Sequence, residues 1–151
     1  MIVVGIDPGP VESAYVVWDA GAKAIINYGD QENRYMIHAI EECTRLGYRV
    51  AIEQMRGFGI LASNPLFDTC VWVGRFVQAW GEEVCELVPR KTVVTHLCGN
   101  ARAGDKFVRE ALIARIGPQG TKREPGPTYG IAGHKWPALA VAITYADMKE
   151  F

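Results

Sequence analysis

Short apolar runs crowd the first third of the chain, and helical spacing governs most of the remainder. Ile2-Val3-Val4-Gly5-Ile6 is a continuous apolar run closed by Asp7, the pattern of a buried strand, and Pro8-Gly9-Pro10 turns the chain. Ser13–Asp19 alternates weakly and stops at Ala20-Gly21, and Lys23–Tyr28 resumes beyond that turn. Three short strands joined by tight glycine turns predict an antiparallel meander. Met36, Ile37, Ile40 and Cys43 recur at helical spacing as far as Gly47. Tyr48–Glu53 is then a fourth strand, reached through a helix and so expected to run parallel to the first.

A glycine-containing loop runs from Arg56 to Pro65, followed by a helix with Thr69, Trp72, Val73, Phe76 and Trp80 on one stripe. Val84–Val88 is a fifth strand ended by Pro89. A short helix covers Lys91–Leu97, and Cys98-Gly99-Asn100 stops it. Residues 105–116 form another helix with Val108, Ala111, Leu112 and Ile116 inward. Gly117–Gly130, rich in Gly and Pro, reads as a flexible loop. The last helix starts near Lys135, and Ala138–Ile143 is apolar nearly all round, so it is expected to pack on a sheet. The predicted class is α/β, ordered βββαβαβα, with one five-stranded mixed sheet: a three-strand antiparallel meander plus two parallel strands, flanked by helices.

At 151 residues the chain is expected to form one domain, residues 1–151, and to bury about two-thirds of its unfolded surface. No basic leader precedes the first apolar run, and no apolar stretch reaches the roughly 20 residues that span a bilayer, so neither a signal peptide nor a membrane-spanning helix is expected. Cys43, Cys70, Cys85 and Cys98 form no CxxC pair, which favours reduced thiols over disulfides or zinc. The net charge of −1 hides an asymmetry. Residues 1–85 carry six Lys/Arg against eleven Asp/Glu, whereas residues 86–125 carry eight against four. An acidic half beside a basic strip suits an enzyme that binds cations and polyanions together, although solvated charges on unrelated faces give the same counts.

The candidate chemistry lies in Asp7 and Glu53, each closing an apolar strand. Burying such a carboxylate without a partner costs several kcal/mol, and α/β sheets place their sites at strand ends. Two that converge suggest a divalent-metal site. The plainer reading is a turn cap at Asp7 and a paired core charge at Glu53.

Gly5-Ile6-Asp7-Pro8-Gly9 followed by Ala51-Ile52-Glu53-Gln54 resembles the RuvC group of the RNase H-like superfamily. Cys98–Ala103, with Lys106 four residues past Arg102, is similar to the G-N-x-x-A-x-K segment of that group, and Ala138–Thr144 to its closing D-A-L-A-V-A helix. The opening motif alone also occurs in actin-like and sugar-kinase folds. All four segments in order are far more specific and cover nearly the whole chain. The spacing from Gly57-Phe58-Gly59 to Thr69–Gly74 is similar to RuvC-like proteins encoded by bacteriophages.

The resemblance implies an RNase H-like fold and a homodimeric Holliday-junction resolvase of a bacterial or phage-infected cytoplasm. Such an enzyme nicks branched DNA with two Mg²⁺ or Mn²⁺ ions. Asp7 and Glu53 match its catalytic carboxylates, and Lys106 its basic residue near the scissile phosphate. The family's closing D-x-x-D pair falls on His134 and Pro137. His134 has a metal-binding nitrogen, or else is a helix cap or surface residue. Pro137 has no ligand atom, but its ring suits a first helical turn. Asp147 is no substitute, lying about 20 Å from His134 along a helix. A branched-DNA-binding module too weakened to cut is the alternative reading.

Lys106 and Arg109 share a helix face, with Arg102 just before it, as a strip for phosphates or an ordinary solvated face; Arg90 and Lys91 can add to it. In the loop after Glu53, Arg56 is a further DNA contact. Phe58 there is either a wedge against unstacked bases or a loop anchor. Part of the Trp72–Trp80 stripe is either a twofold contact between copies or core. An imidazole ligand suits Mn²⁺ over Mg²⁺, so faster cleavage with Mn²⁺ at matched concentrations is expected. Equal rates would count against His134 as a ligand.

Overall fold

The computed structural model describes residues 1–55 and 62–150, without the side chain of Ile40. Its elements are β1 (Ile2–Asp7), β2 (Glu12–Asp19), β3 (Ala24–Glu32), α1 (Asn33–Arg45), β4 (Arg49–Gln54), α2 (Asn64–Trp80), β5 (Cys85–Pro89), α3 (Arg90–Cys98), α4 (Asp105–Ile116) and α5 (Lys135–Met148). The sheet order is β3-β2-β1-β4-β5. The β1–β2 and β2–β3 pairs are antiparallel, and β1–β4 and β4–β5 are parallel. This is the expected α/β sheet, a meander continued by two parallel strands. β3 runs four residues past Tyr28, because Gly29–Glu32 pair their backbones with Glu12–Tyr15 regardless of side-chain polarity.

Strand alternation divides the core into two layers. On one face Val3, Ala14, Val16, Trp18, Ala51 and Val88 pack against α5, with Val93 of α3 and Leu112 of α4 beside it. On the other, Val4, Ile6, Val50 and Ile52 meet Met36 of α1 and Phe76 and Trp80 of α2. The rings of Phe76 and Trp80 stack with centroids 5.0 Å apart. Thr69, Phe76 and Trp80 are buried, so the inner edge of the α2 stripe is core, while Trp72 and Val73 are half-buried. Every residue of α5 from Trp136 to Ala146 except Pro137 is buried, as its continuous apolar run requires.

The segment after α4 differs from expectation. Residues 117–130 are held in place: Gly120 and Pro125 form an antiparallel bridge, Gly126 N–H donates to Gln119 O, and Thr128 Oγ1 donates to Gly117 O. Gly and Pro here build a turn, with Gly120 at φ +68°, rather than loosen a loop. All four cysteines are free thiols. Among the described residues no helix is long and apolar enough to cross a membrane.

Gly5 sets the distance between α5 and the sheet. A Cβ there would sit 2.0 Å from the Ala138 carbonyl oxygen and 2.7 Å from the Ala142 Cβ, so helix and strand touch backbone to backbone. Gly5→Ala must therefore push α5 off β1. A loss of about 3 kcal/mol is expected in urea unfolding, at the upper end of overpacking costs. A near-neutral result would mean that α5 slides along the sheet without penalty.

Candidate active site at the strand tips

β1 and β4 pair with Gly5 opposite Ala51 and Ile6 opposite Ile52, so the next rung sets Asp7 beside Glu53 on strands about 4.8 Å apart. Gly5 and Ala51 both face α5, and side chains alternate, so both carboxylates project to the α5 side. The turn after Asp7 is clasped by a buried polar pair that no sequence pattern announced. Ser13 Oγ donates to Asn33 Oδ1 (2.6 Å) and accepts from Gly9 N–H, while Asn33 Nδ2 donates to Gly9 O (2.8 Å). The clasp joins β2 and α1 to the Pro8-Gly9-Pro10 turn and fixes where β1 ends.

Both carboxylates are largely out of water: 9 % of the Glu53 side chain is exposed and 17 % of that of Asp7. Burial pushes each above the ordinary carboxylate range. The charge of Asp7 pushes Glu53 further, and His134 and Arg90 pull back. His134, immediately before α5, places Nδ1 2.8 Å from Asp7 Oδ2, and its ring is 84 % exposed. It occupies the cap position, yet its side chain makes no cap bond and turns to Asp7 instead. Pro137 lies in the first turn of α5, where its ring was expected to fit. Lys135 pairs with Asp30 of β3, tying the start of α5 to the meander.

Arg90 lines one cleft with Lys106 and Arg109, and its guanidinium is also bound to two acids. Its Nη1 lies 3.1 Å from both oxygens of Glu53, and its Nη2 bonds Asp105 at the start of α4. The signal was present in part: Pro89 closes β5 opposite Gln54, so the next residue starts a helix beside the tip of β4. The partnership with Glu53 belongs to side-chain geometry alone.

Two clefts meet at His134. One, of about 730 Å³, is lined by Asp7, Glu53, Asp30 and Met55. The other, of about 560 Å³, is lined by Arg90, Asp105, Lys106, Arg109 and Gln119. Lys106 and Arg109 line this second cleft, which shares His134 with the first but includes neither Asp7 nor Glu53. Lys106 is exposed, 3.9 Å from Glu110; Arg109 donates to Gln119 Oε1 (2.9 Å) and lies 5.2 Å over the Trp136 ring. Arg102 is exposed on the turn before α4, outside that lining, and Lys91 lines a separate cleft with Thr95 and His96. Arg56 and Phe58 lie outside the described residues. Asp147 is engaged with Arg115 and His96, away from Asp7, as the helix length required.

The donors suit a divalent cation in kind: two oxygen anions on adjoining strand tips, whose buried charge a cation relieves, and an imidazole beside them. As the side chains stand they do not form a ready cage. Among the described residues no three His, Cys, Asp or Glu groups are gathered closely enough to hold an ion. Glu53 faces Arg90 instead, so a cation there competes with the guanidinium.

This sheet, with acids on neighbouring central tips, shares its fold with solved RuvC structures. The structure of Thermus thermophilus RuvC superposes with a TM-score of 0.68, covering 99 % of this chain and 97 % of that one at 21 % identity. The structure of T. thermophilus RuvC in complex with Holliday junction substrate matches with the same TM-score at 20 % identity, covering 99 % and 96 % of the two chains. No protein-family model and no curated protein matches the sequence.

The raised carboxyls give a sign for pH dependence. A proton is held more tightly by Asp7 in the folded chain than at its ordinary value of 3.8, so this contribution to stability is full below that value. It is lost as pH rises through the higher folded value. Without metal at pH 8, Asp7→Asn is therefore expected to melt above the parent, with the gap closing toward pH 4. A lower melting temperature for the variant at pH 8 would show that pairing with His134 outweighs burial.

Proposed function

We propose that this chain is a metal-dependent, structure-selective endodeoxyribonuclease that nicks four-way junctions or other branched DNA. The observation that carries this reading is the pairing of Asp7 and Glu53 on neighbouring central strands of the RuvC fold, next to a cleft lined by basic side chains. One similar structure is of a RuvC bound to Holliday junction substrate, which makes that branched form the first to test.

Asp7, Glu53 and His134 would hold Mg²⁺ or Mn²⁺. Bound there, two such ions would supply an activated water and stabilisation of a phosphodiester's leaving oxygen. The chain's own residues prepare the place. Burial of Asp7 and Glu53 keeps competing water from their charge, and the Ser13–Asn33 clasp fixes the turn beside Asp7. Lys106 and Arg109 hold phosphates across His134 from the carboxylates. Arg90, poised between Glu53 and Asp105, is a donor that an incoming phosphate can draw away. We assign the domain to residues 1–151 and the working form to a homodimer, since cutting two opposed strands needs two sites. Phe67 and Val71, exposed one turn apart on α2, offer the apolar contact for it.

A module that binds branched DNA without cutting is the second reading, favoured by Arg90 on Glu53 and by Pro137 in place of an acid. Incubation with a labelled four-way junction and a linear duplex, with Mn²⁺ or Mg²⁺, separates the two. Paired nicks on opposed strands of the junction alone support the nuclease, with Asp7→Asn and Glu53→Gln reducing the rate to background while junction binding persists. A retarded but intact junction supports the module, and full activity of Asp7→Asn would end the metal reading.

A further inference from the structure

The segment between α4 and α5 carries two charges that the active-site clefts do not use. From Gln119 to Gly126 the chain forms a short hairpin: Gly120 bridges Pro125, Thr121 N–H donates to Glu124 O (2.9 Å), and Gly126 N–H donates to Gln119 O (2.9 Å). Its tip is Lys122-Arg123, both exposed, and neither has an acidic partner among the described residues. Glu124, the one acid in residues 117–133, serves the turn through its backbone.

We propose that this hairpin is a preformed DNA-contact arm, with Lys122 and Arg123 gripping phosphates of a duplex arm of the substrate. The proposal rests on the reading that the adjoining site handles DNA. Three observations carry it. The first is rigidity. A Cβ on Gly120 would sit 2.3 Å from Glu124 O, and one on Gly126 would sit 2.0 Å from Pro118 O, so the turn is packed backbone on backbone. A rigid arm loses little entropy on binding.

The second is attachment. Gln119 at the hairpin base accepts from Arg109 and donates to Ile131 O (2.7 Å), so one side chain joins the arm, α4 and the approach to His134. The Arg109 guanidinium, resting on Trp136 and bonded to Gln119, is held facing the same cleft. The third is reach. Gln119 lines the cleft with Lys106 and His134, and Lys122 at the tip is three residues further along, at most roughly 10 Å away. That is within about three base steps of DNA, so arm and cleft can follow one backbone.

The test uses the full chain and a fluorescent four-way junction, with anisotropy read from 50 to 200 mM KCl in EDTA. For Lys122→Ala/Arg123→Ala, the slope of log affinity against log salt is expected to be shallower by about 1.8, two phosphates at about 0.9 each. Affinity at 50 mM should fall about tenfold, while the single-turnover nicking rate at saturating DNA stays unchanged. Gly120→Ala keeps the charges but loosens the turn, and should weaken binding several-fold with the slope retained. An unchanged slope in the double variant overturns the proposal, and parental affinity in a folded Gly120→Ala overturns the preformed arm. If the parent binds the junction with the expected slope change but never nicks, the arm stands and the nuclease reading fails. If the parent binds no DNA, both fall.

Discussion

The close seating of α5 on β1 governs the geometry of the whole site. With no side chain at Gly5, the helix backbone lies directly on the strand, and its first residues arrive at the height of Asp7. That contact brings His134 to 2.8 Å from a carboxylate 127 positions earlier. A larger residue at position 5 would lift the helix, separate His134 from Asp7 and open the buried face where Val3 and Ala51 meet α5. A glycine that reads in the sequence only as part of an apolar strand run is, in the folded chain, a spacer between two layers.

The strand tips are electrostatically expensive, and the fold offsets that cost with a guanidinium at Glu53 and a hydrogen-bonding imidazole at Asp7. Two desolvated acids on adjacent rungs repel each other, and Arg90 answers for Glu53 while His134 answers for Asp7. Arg90 also reaches Asp105, so the same guanidinium pins the start of α4 to the end of β4. Removing Arg90 would leave the buried charge of Glu53 uncompensated, which is more damaging than never having had the pair. Such an arrangement gains little stability, and it keeps two desolvated carboxylates together at the strand tips.

Surface charge is organised around the same point. His134 belongs to both clefts, the acidic one over the strand tips and the basic one beneath α4. The contrast between an acidic first half and a basic strip in residues 86–125 is thus a spatial boundary as well as a linear one. Gln119 extends that boundary outward by joining Arg109 to the hairpin base.

Much of this was legible from the chain. The apolar runs closed by Asp7 and Glu53, the meander and the apolar final helix reported strand order and layer, because period and burial are local consequences of side-chain type. The acids could be named because a carboxylate at the end of a buried strand has few structural uses. Residues 117–130 were misread because Gly and Pro signal a turn without saying whether its backbone bonds close. The clasp of Ser13 with Asn33, the hold of Arg90 on Glu53 and the tie of Lys135 to Asp30 join positions 20, 37 and 105 apart. The sequence by itself determined which elements form and which side chains carry charge at their ends. Only the tertiary structure decided which charges meet, because ion pairs and hydrogen bonds depend on distances of a few ångströms that layer packing, not residue type, sets.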